Sequence, residues 1–265
     1  MGQLRTANNR RRRARAAGAA PAAMSGADLD WLVRAPVIPA NDRHPIVLVE
    51  KADIPGGGQL HLLQCGPDFS IRFCSDELMG SQDHASERAL ATLACERVGP
   101  ERGDVLIGGL GMGFTLRAAL GAWGPAAKIT VAELVPQVVA WAEGPLAHLF
   151  GADLRDERVS IAIADVHDLI ADAEGAFDAI LLDVDNGPDG FIRLENDRLY
   201  CNWGLRAAYA ALRPAGLLAV WSAYPDPAFA QRLEAVGFTV EEVEISEKGD
   251  GDGQLHTIWL ASKAG

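Results

Sequence analysis

Residues 104–120, DVLIGGLGMGFTLRAAL, limit what this chain can fold into more than any other stretch. An apolar run meets a glycine cluster, and apolar residues at helical spacing follow at once. The pattern predicts a strand, a tight turn and a helix N-terminus. Such a turn gathers bare backbone N–H groups at the positive end of a helix, an arrangement suited to a nucleotide or nucleoside.

The flanking sequence says what kind of sheet that strand joins. Strand-like runs at 105–109, 129–133, 159–164, 179–183 and 217–222 alternate with helix-like stretches centred near 118, 140, 170 and 206. Short apolar strands alternating with helices predict βαβ units and a parallel sheet covered on both faces. A last helix is expected over 227–236. Two further runs, 238–245 and 255–262, flank the turn sequence KGDGDG and predict a hairpin, so the sheet should close with an antiparallel strand. Ahead of all this, β-like runs at 46–51, 59–65 and 69–74 are joined by Gly/Pro turns and predict a small antiparallel meander. A polar segment, SDELMGSQDH, and a helix over about 85–98, with Leu90, Leu93 and Ala94 on one face, link the two parts. The expected fold class is α/β: a mostly parallel Rossmann-like sheet with an antiparallel last strand, preceded by a small antiparallel β domain. The expected segments are 1–23, 24–84 and 85–265.

Composition narrows the function. No apolar run reaches the roughly 18 to 20 residues that cross a membrane, so no membrane partner is expected. Cys65, Cys74, Cys95 and Cys201 form no C-x-x-C pair and no Cys/His cluster, which argues against a metal site and for reduced thiols in a cytoplasmic protein. Residues 1–23 hold six arginines and no acid, whereas 18 basic residues face 36 acidic ones from Met24 onward. The head reads as a disordered extension, a segment upstream of a true start at Met24, or a targeting segment without a secretory apolar core; the first is preferred. So acidic a body repels phosphate backbones, which argues against nucleic acid, and suits a cationic small molecule or simple solubility.

Gly109, Gly111 and Gly113 are spaced G-x-G-x-G; a dinucleotide fingerprint asks for a glycine at position 114, where Phe114 stands. Acids end the next three strands. Glu133 is placed to accept hydrogen bonds from both ribose hydroxyls, Asp165 to accept from an adenine amino group or to cap the following helix, and Asp183 ends the fourth strand. Open α/β sheets bind ligands at these carboxyl ends.

This constellation resembles class I S-adenosylmethionine-dependent transferases and, within them, the polyamine aminopropyltransferase (spermidine synthase) family, over roughly residues 46–262. Residues 107–109 (IGG), 115–117 (TLR), 177–183 (FDAILLD) and 212–216 (LRPAG) are similar to that family's motifs. Three places depart. Gly111 stands where the family keeps an acid. Residues 183–188 read DVDNGP against a D-[ST]-[ST]-D-P loop, so an ungapped match puts Asn186 in the place of its second acid. Ala85-Ser86-Glu87 replaces Y-H-E, retaining only the Glu.

The resemblance implies S-adenosylmethionine or its decarboxylated form as cofactor, no metal, a small-molecule amine as substrate and a homodimer as one assembly. Transfer from a sulfonium to an amine asks for alignment and a neutral amine. Asp185 is the first candidate base, Asp183 holds the donor's amino group or shares that work, and Asn186 positions an amine through its amide oxygen. His84, Tyr200 and Trp221 are candidates to line the substrate side, the aromatic rings through cation–π contact or plain packing. Aminopropyl transfer is the leading reading, methyl transfer to a small molecule the second, and a non-catalytic cofactor-binding protein the third.

Overall fold

The computed structural model describes residues 44–74, 76–82, 84–184, 197–247 and 253–265. The Arg-rich head, most of the lead-in, and both Asp185 and Asn186 lie outside these residues. The strands β1 (Ile46–Asp53), β2 (Gln59–Cys65), β3 (Asp68–Phe73) and β4 (Asp76–Gly80) form a four-stranded sheet in that order. All three pairings are antiparallel. The fourth strand is a correction to the polar segment expected there: Met79 opposite Ile71 and Gly80 opposite Ser70 extend the meander by one edge strand. Asp76 and Glu77 on that edge hide a strand from a reading based on hydropathy.

The chain then runs through α1 (Ala85–Val98), β5 (Asp104–Gly108), α2 (Phe114–Ala122), β6 (Lys128–Glu133), α3 (Pro136–Glu143) and α4 (Ala147–Phe150). It continues with β7 (Val159–Ile163), α5 (Val166–Ala171), β8 (Phe177–Leu182), α6 (Asp197–Tyr200) and α7 (Asn202–Ala211). The last elements are β9 (Leu212–Ser222), α8 (Pro227–Val236), β10 (Thr239–Ser246) and β11 (Leu255–Ser262). The second sheet has seven strands in the order β10-β11-β9-β8-β5-β6-β7. Strands β5 to β9 pair in parallel, while β11 runs antiparallel to both β9 and β10. This is the expected mostly parallel sheet closed by an antiparallel strand. Strand β9 starts earlier than expected, at Leu212. Phe177 pairs with Leu212 and Ala179 with Leu217, so residues 213–216 bulge out of the ladder, with Ala215 at φ 56°.

Alternation along the central strands builds two cores. On β8, Ala179 and Leu181 face one and Ile180 and Leu182 the other; on β11, Ile258 and Leu260 oppose Trp259 and Ala261. The front sheet closes over the first core with Ala52, Leu60, Leu62, Phe69 and Ile71. Strands buried on both faces read as continuous apolar runs, as a helix-covered parallel sheet requires. Helix α1 packs against α2, β8 and β9, which brings its first turn to the carboxyl ends of the central strands. No helix among the described residues is long and apolar enough to cross a membrane.

Candidate functional site

The order of strands reverses between β5 and β8, whose onward connections lead to opposite edges of the sheet. A crevice opens beyond the carboxyl ends of the strands at such a point. Here it is a cleft walled below by Gly109, Gly111, Glu133, Asp165 and Asp183 and above by Ile54, Leu60, Ile71, Leu78 and Met79 of the front sheet.

The glycine turn is held from underneath by Glu133. Its Oε2 accepts the Leu110 N–H at 3.0 Å and its Oε1 the Val135 N–H at 2.8 Å. Burial pushes the Glu133 carboxyl up, and the N–H groups of Val135 and Leu110 pull it back. The Leu134 and Gly111 backbones act on it in the same way, so the carboxylate is held by the turn from several sides. Gly109 sits at φ 90°, and a side chain there would run into the carbonyl oxygen of Asp183. Gly111, at φ 49°, faces Met79; the Met112 N–H meets the Met79 sulfur at 3.0 Å. A Cβ on Gly111 would lie 2.7 Å from that sulfur, so a thioether fills the space an acid would need. Gly113 gives α2 a left-handed N-cap without a side-chain hydrogen bond, and Phe114 is buried behind it.

Asp183 ends β8 and lines the cleft. The Thr115 hydroxyl donates to its Oδ2 at 2.6 Å. Glu87, in the first turn of α1, lines the same cleft, and its Oε2 accepts from the Ser86 hydroxyl at 2.8 Å. Burial pushes Glu87 up to about 8; the negative charge of Asp183 adds to the rise and the Ser86 hydroxyl opposes it. Asp183 is raised as well, by burial against the Thr115 hydrogen bond. The two titrate as a pair. Glu87 is the main residue that the motif comparison undervalued. The signal was there, as the one acid kept in Ala85-Ser86-Glu87, but only the fold shows it facing Asp183.

The remaining expected residues scatter. Asp165 lines the cleft and caps α5: Oδ1 accepts the His167 N–H at 2.9 Å and Oδ2 the Arg198 guanidinium at 2.7 Å. The cap reading of that acid holds, and the residue also faces the cleft. Trp221 lines the cleft, stacked on His256 at 4.9 Å. Tyr200 does not belong to the substrate side. It is 1 % exposed, packed edge-on against Phe229, with its hydroxyl on the Val184 carbonyl oxygen at 3.4 Å. Its register on the apolar face of the helix decides this, and a hydroxyl reaching backbone satisfies the one polar atom. His84 stacks on Phe114 at 4.1 Å and meets the Gln82 carbonyl oxygen through Nδ1, beside the cleft rather than in its wall. No group of metal-ligating residues occurs among the described residues.

No family model and no curated protein matches this sequence. Solved structures do. The spermidine synthase of Thermotoga maritima superposes at TM-score 0.64, 18% identical, over 82% of this chain and 72% of that one. A spermidine synthase in complex with the transition state analogue AdoDATO gives TM-score 0.66, 19% identity, and 82% and 74% coverage. The 1,6-didemethyltoxoflavin-N1-methyltransferase of Burkholderia thailandensis, solved with 1,6-didemethyltoxoflavin and S-adenosylhomocysteine, gives TM-score 0.48 at 22% identity over 69% and 80% of the two chains. Taken with the strand order, the antiparallel last strand and the four-stranded sheet in front, the first two matches establish that this chain has the class I methyltransferase fold in its spermidine synthase-like form.

Proposed function

We propose that the chain is a transferase that binds S-adenosylmethionine or, preferentially, its decarboxylated form, and passes an aminopropyl group to a small amine. The observation that carries this reading is the charge of the cleft. Glu87, Glu133, Asp165 and Asp183 line it, and no Lys, Arg or His stands among the lining residues described. A sulfonium bearing a free ammonium suits that surround; the α-carboxylate of the full cofactor would be repelled by Glu87 and Asp183, and the nearby Arg198 is already paired with Asp165. The neighbour that binds AdoDATO supports the same class of ligand.

The residues divide the work by position. Glu133 accepts from the ribose hydroxyls while fixing the glycine turn. Asp165 offers its outer oxygen toward adenine, in exchange for the contact with Arg198. Ile54, Leu60, Ile71 and Met79 cover the site and exclude water, so the charges beneath act in a low dielectric. When bound, the sulfonium supplies an electrophilic carbon and a leaving group that departs neutral. The protein's task is to align that carbon with a deprotonated amine.

Methyl transfer to a small molecule is the second reading. Gly111 and the Met79 thioether against it favour that alternative, because an amine tail has no acid there to hold it.

Calorimetric titration with the two cofactor forms, followed by turnover with putrescine and spermidine, separates the readings. Tighter binding of the decarboxylated form with aminopropyl transfer is expected; preference for the full cofactor would sink the aminopropyl reading. Glu133→Ala should weaken cofactor binding by about tenfold or more, since a hydrogen bond to a charged group contributes about 1.5–3 kcal/mol. Unchanged affinity would remove Glu133 from the site.

A further inference from the structure

We propose that Glu87 is the general base of the transfer, taking the proton of the attacking amine, with Asp183 beside it holding that amine in place. This rests on the transferase reading above and names a residue for it.

The argument is geometric. Glu87 and Asp183 line the same cleft, one from the first turn of α1 and the other just beyond the end of β8. Thr115 links the two segments: its hydroxyl donates to Asp183 Oδ2 at 2.6 Å and lies 3.3 Å from the Glu87 carbonyl oxygen. Asp183 is thus fixed by a neighbour on its own side, as a positioning group should be. Glu87 is steadied by the Ser86 hydroxyl at 2.8 Å and by its own backbone N–H. Glu247, on the far side of the α1 terminus, holds that turn still by accepting the Ala85 and Ser86 N–H groups at 2.8 and 3.2 Å. The charged and titratable groups that bear on Glu87 are therefore Asp183 from β8 and Glu247 from beyond β10, with His256 paired to Glu247 at 3.5 Å from β11. Among the described lining residues none is a cation that would hold Glu87 permanently ionised.

The proton ledger balances. Burial and the charge of Asp183 favour the protonated form of Glu87. It must first lose that proton, which the approach of a sulfonium and an ammonium favours. The carboxylate then accepts one proton from R–NH3+. The freed lone pair forms the N–C bond as the C–S electron pair returns to sulfur, giving a neutral thioether and a secondary ammonium. A carboxylate with a raised affinity for protons suits the first step better than an ordinary surface acid.

The test uses the full-length protein with decarboxylated S-adenosylmethionine and putrescine. For Glu87→Gln, kcat should fall by about 10²- to 10⁴-fold. Cofactor should still bind near pH 6, where an amide mimics the protonated carboxyl, and should lose the rise in affinity at higher pH that ionisation of Glu87 gives the wild type. The rise of kcat/KM with pH, set by ionisation of Glu87, should vanish in this variant. Ser86→Ala, which removes a hydroxyl donor to the carboxylate, should lower kcat far less than Glu87→Gln does and move that limb to higher pH. Cofactor binding with an unchanged rate and an unchanged limb in Glu87→Gln would overturn Glu87 as base and return the role to Asp185, leaving the transferase reading intact. Failure of the wild-type protein to bind either cofactor form would overturn both.

Discussion

At the scale of single residues, the glycine turn shows two different reasons for having no side chain. Gly109 donates its N–H to the Ala132 carbonyl oxygen at 2.9 Å, while Asp183 donates to Gly108 at 3.0 Å, so the ends of β5, β6 and β8 are stitched through one point. With φ at 90° and the Asp183 carbonyl oxygen where Cβ would go, the position tolerates only glycine. Gly109→Ala should lower stability by roughly 1–3 kcal/mol in denaturant unfolding, the cost of a residue forced into a sparsely populated backbone region. Gly121 is the internal contrast. It lies within α2, nothing approaches its missing Cβ within 4 Å, and Gly121→Ala should raise stability by roughly 0.5–1 kcal/mol through helix propensity. If both substitutions moved stability in the same direction, backbone conformation would not be what the turn selects.

At the scale of elements, what is legible in the sequence is what depends on neighbours in the chain. The expected bounds of α1 and α8 coincide with those observed, because caps and apolar spacing are local signals. Asp226 shows how: it accepts the Ala228 and Phe229 N–H groups at 2.9 and 3.1 Å, just ahead of Pro227 at the first helical position. Helix α1 keeps its cap elsewhere. His84 offers no side-chain cap, and the Ala85 and Ser86 N–H groups are satisfied by Glu247, more than 160 positions away. No local pattern announces such a partner. The same holds for the pairing of Glu87 with Asp183 and for β4, whose identity as a strand comes from β3 alongside it. The acids at the strand ends were readable because a parallel sheet repeats one geometry at each strand; the helix-borne acid facing them follows from packing alone. Glu247→Ala should cost about 1–2 kcal/mol, the usual range for losing a cap. It should also raise amide hydrogen exchange in the first turn of α1. Exchange unchanged there would mean that another group caps the helix.

For the whole molecule, the concentration of acid at one cleft ties stability to pH and to ligand. The Glu87 carboxyl titrates from an ordinary value of 4.5 when unfolded and from about 8 when folded. Below 4.5 both states hold the proton and the group contributes nothing to pH dependence. Between the two values the unfolded chain has released its proton and the folded chain has not, so stability falls as pH rises across this window and levels off above it. Glu133 and Asp183 are raised in the same direction and add to the slope. The chain's formal net charge of −12 contributes its own self-repulsion, but that part is common to wild type and Glu87→Gln and largely cancels in their difference. The melting temperature of the wild type should therefore drop more steeply from pH 5 to pH 8 than that of the variant. A cationic ligand reverses the trend, because it stabilises the ionised carboxylates that burial alone disfavours. The gain in melting temperature on adding decarboxylated S-adenosylmethionine should grow with pH over the same window in the wild type, and grow less in Glu87→Gln. A gain that is flat with pH in both proteins would show that the bound cation does not share the cleft with Glu87, and the stability and the chemistry of this fold would then have to be assigned to separate groups.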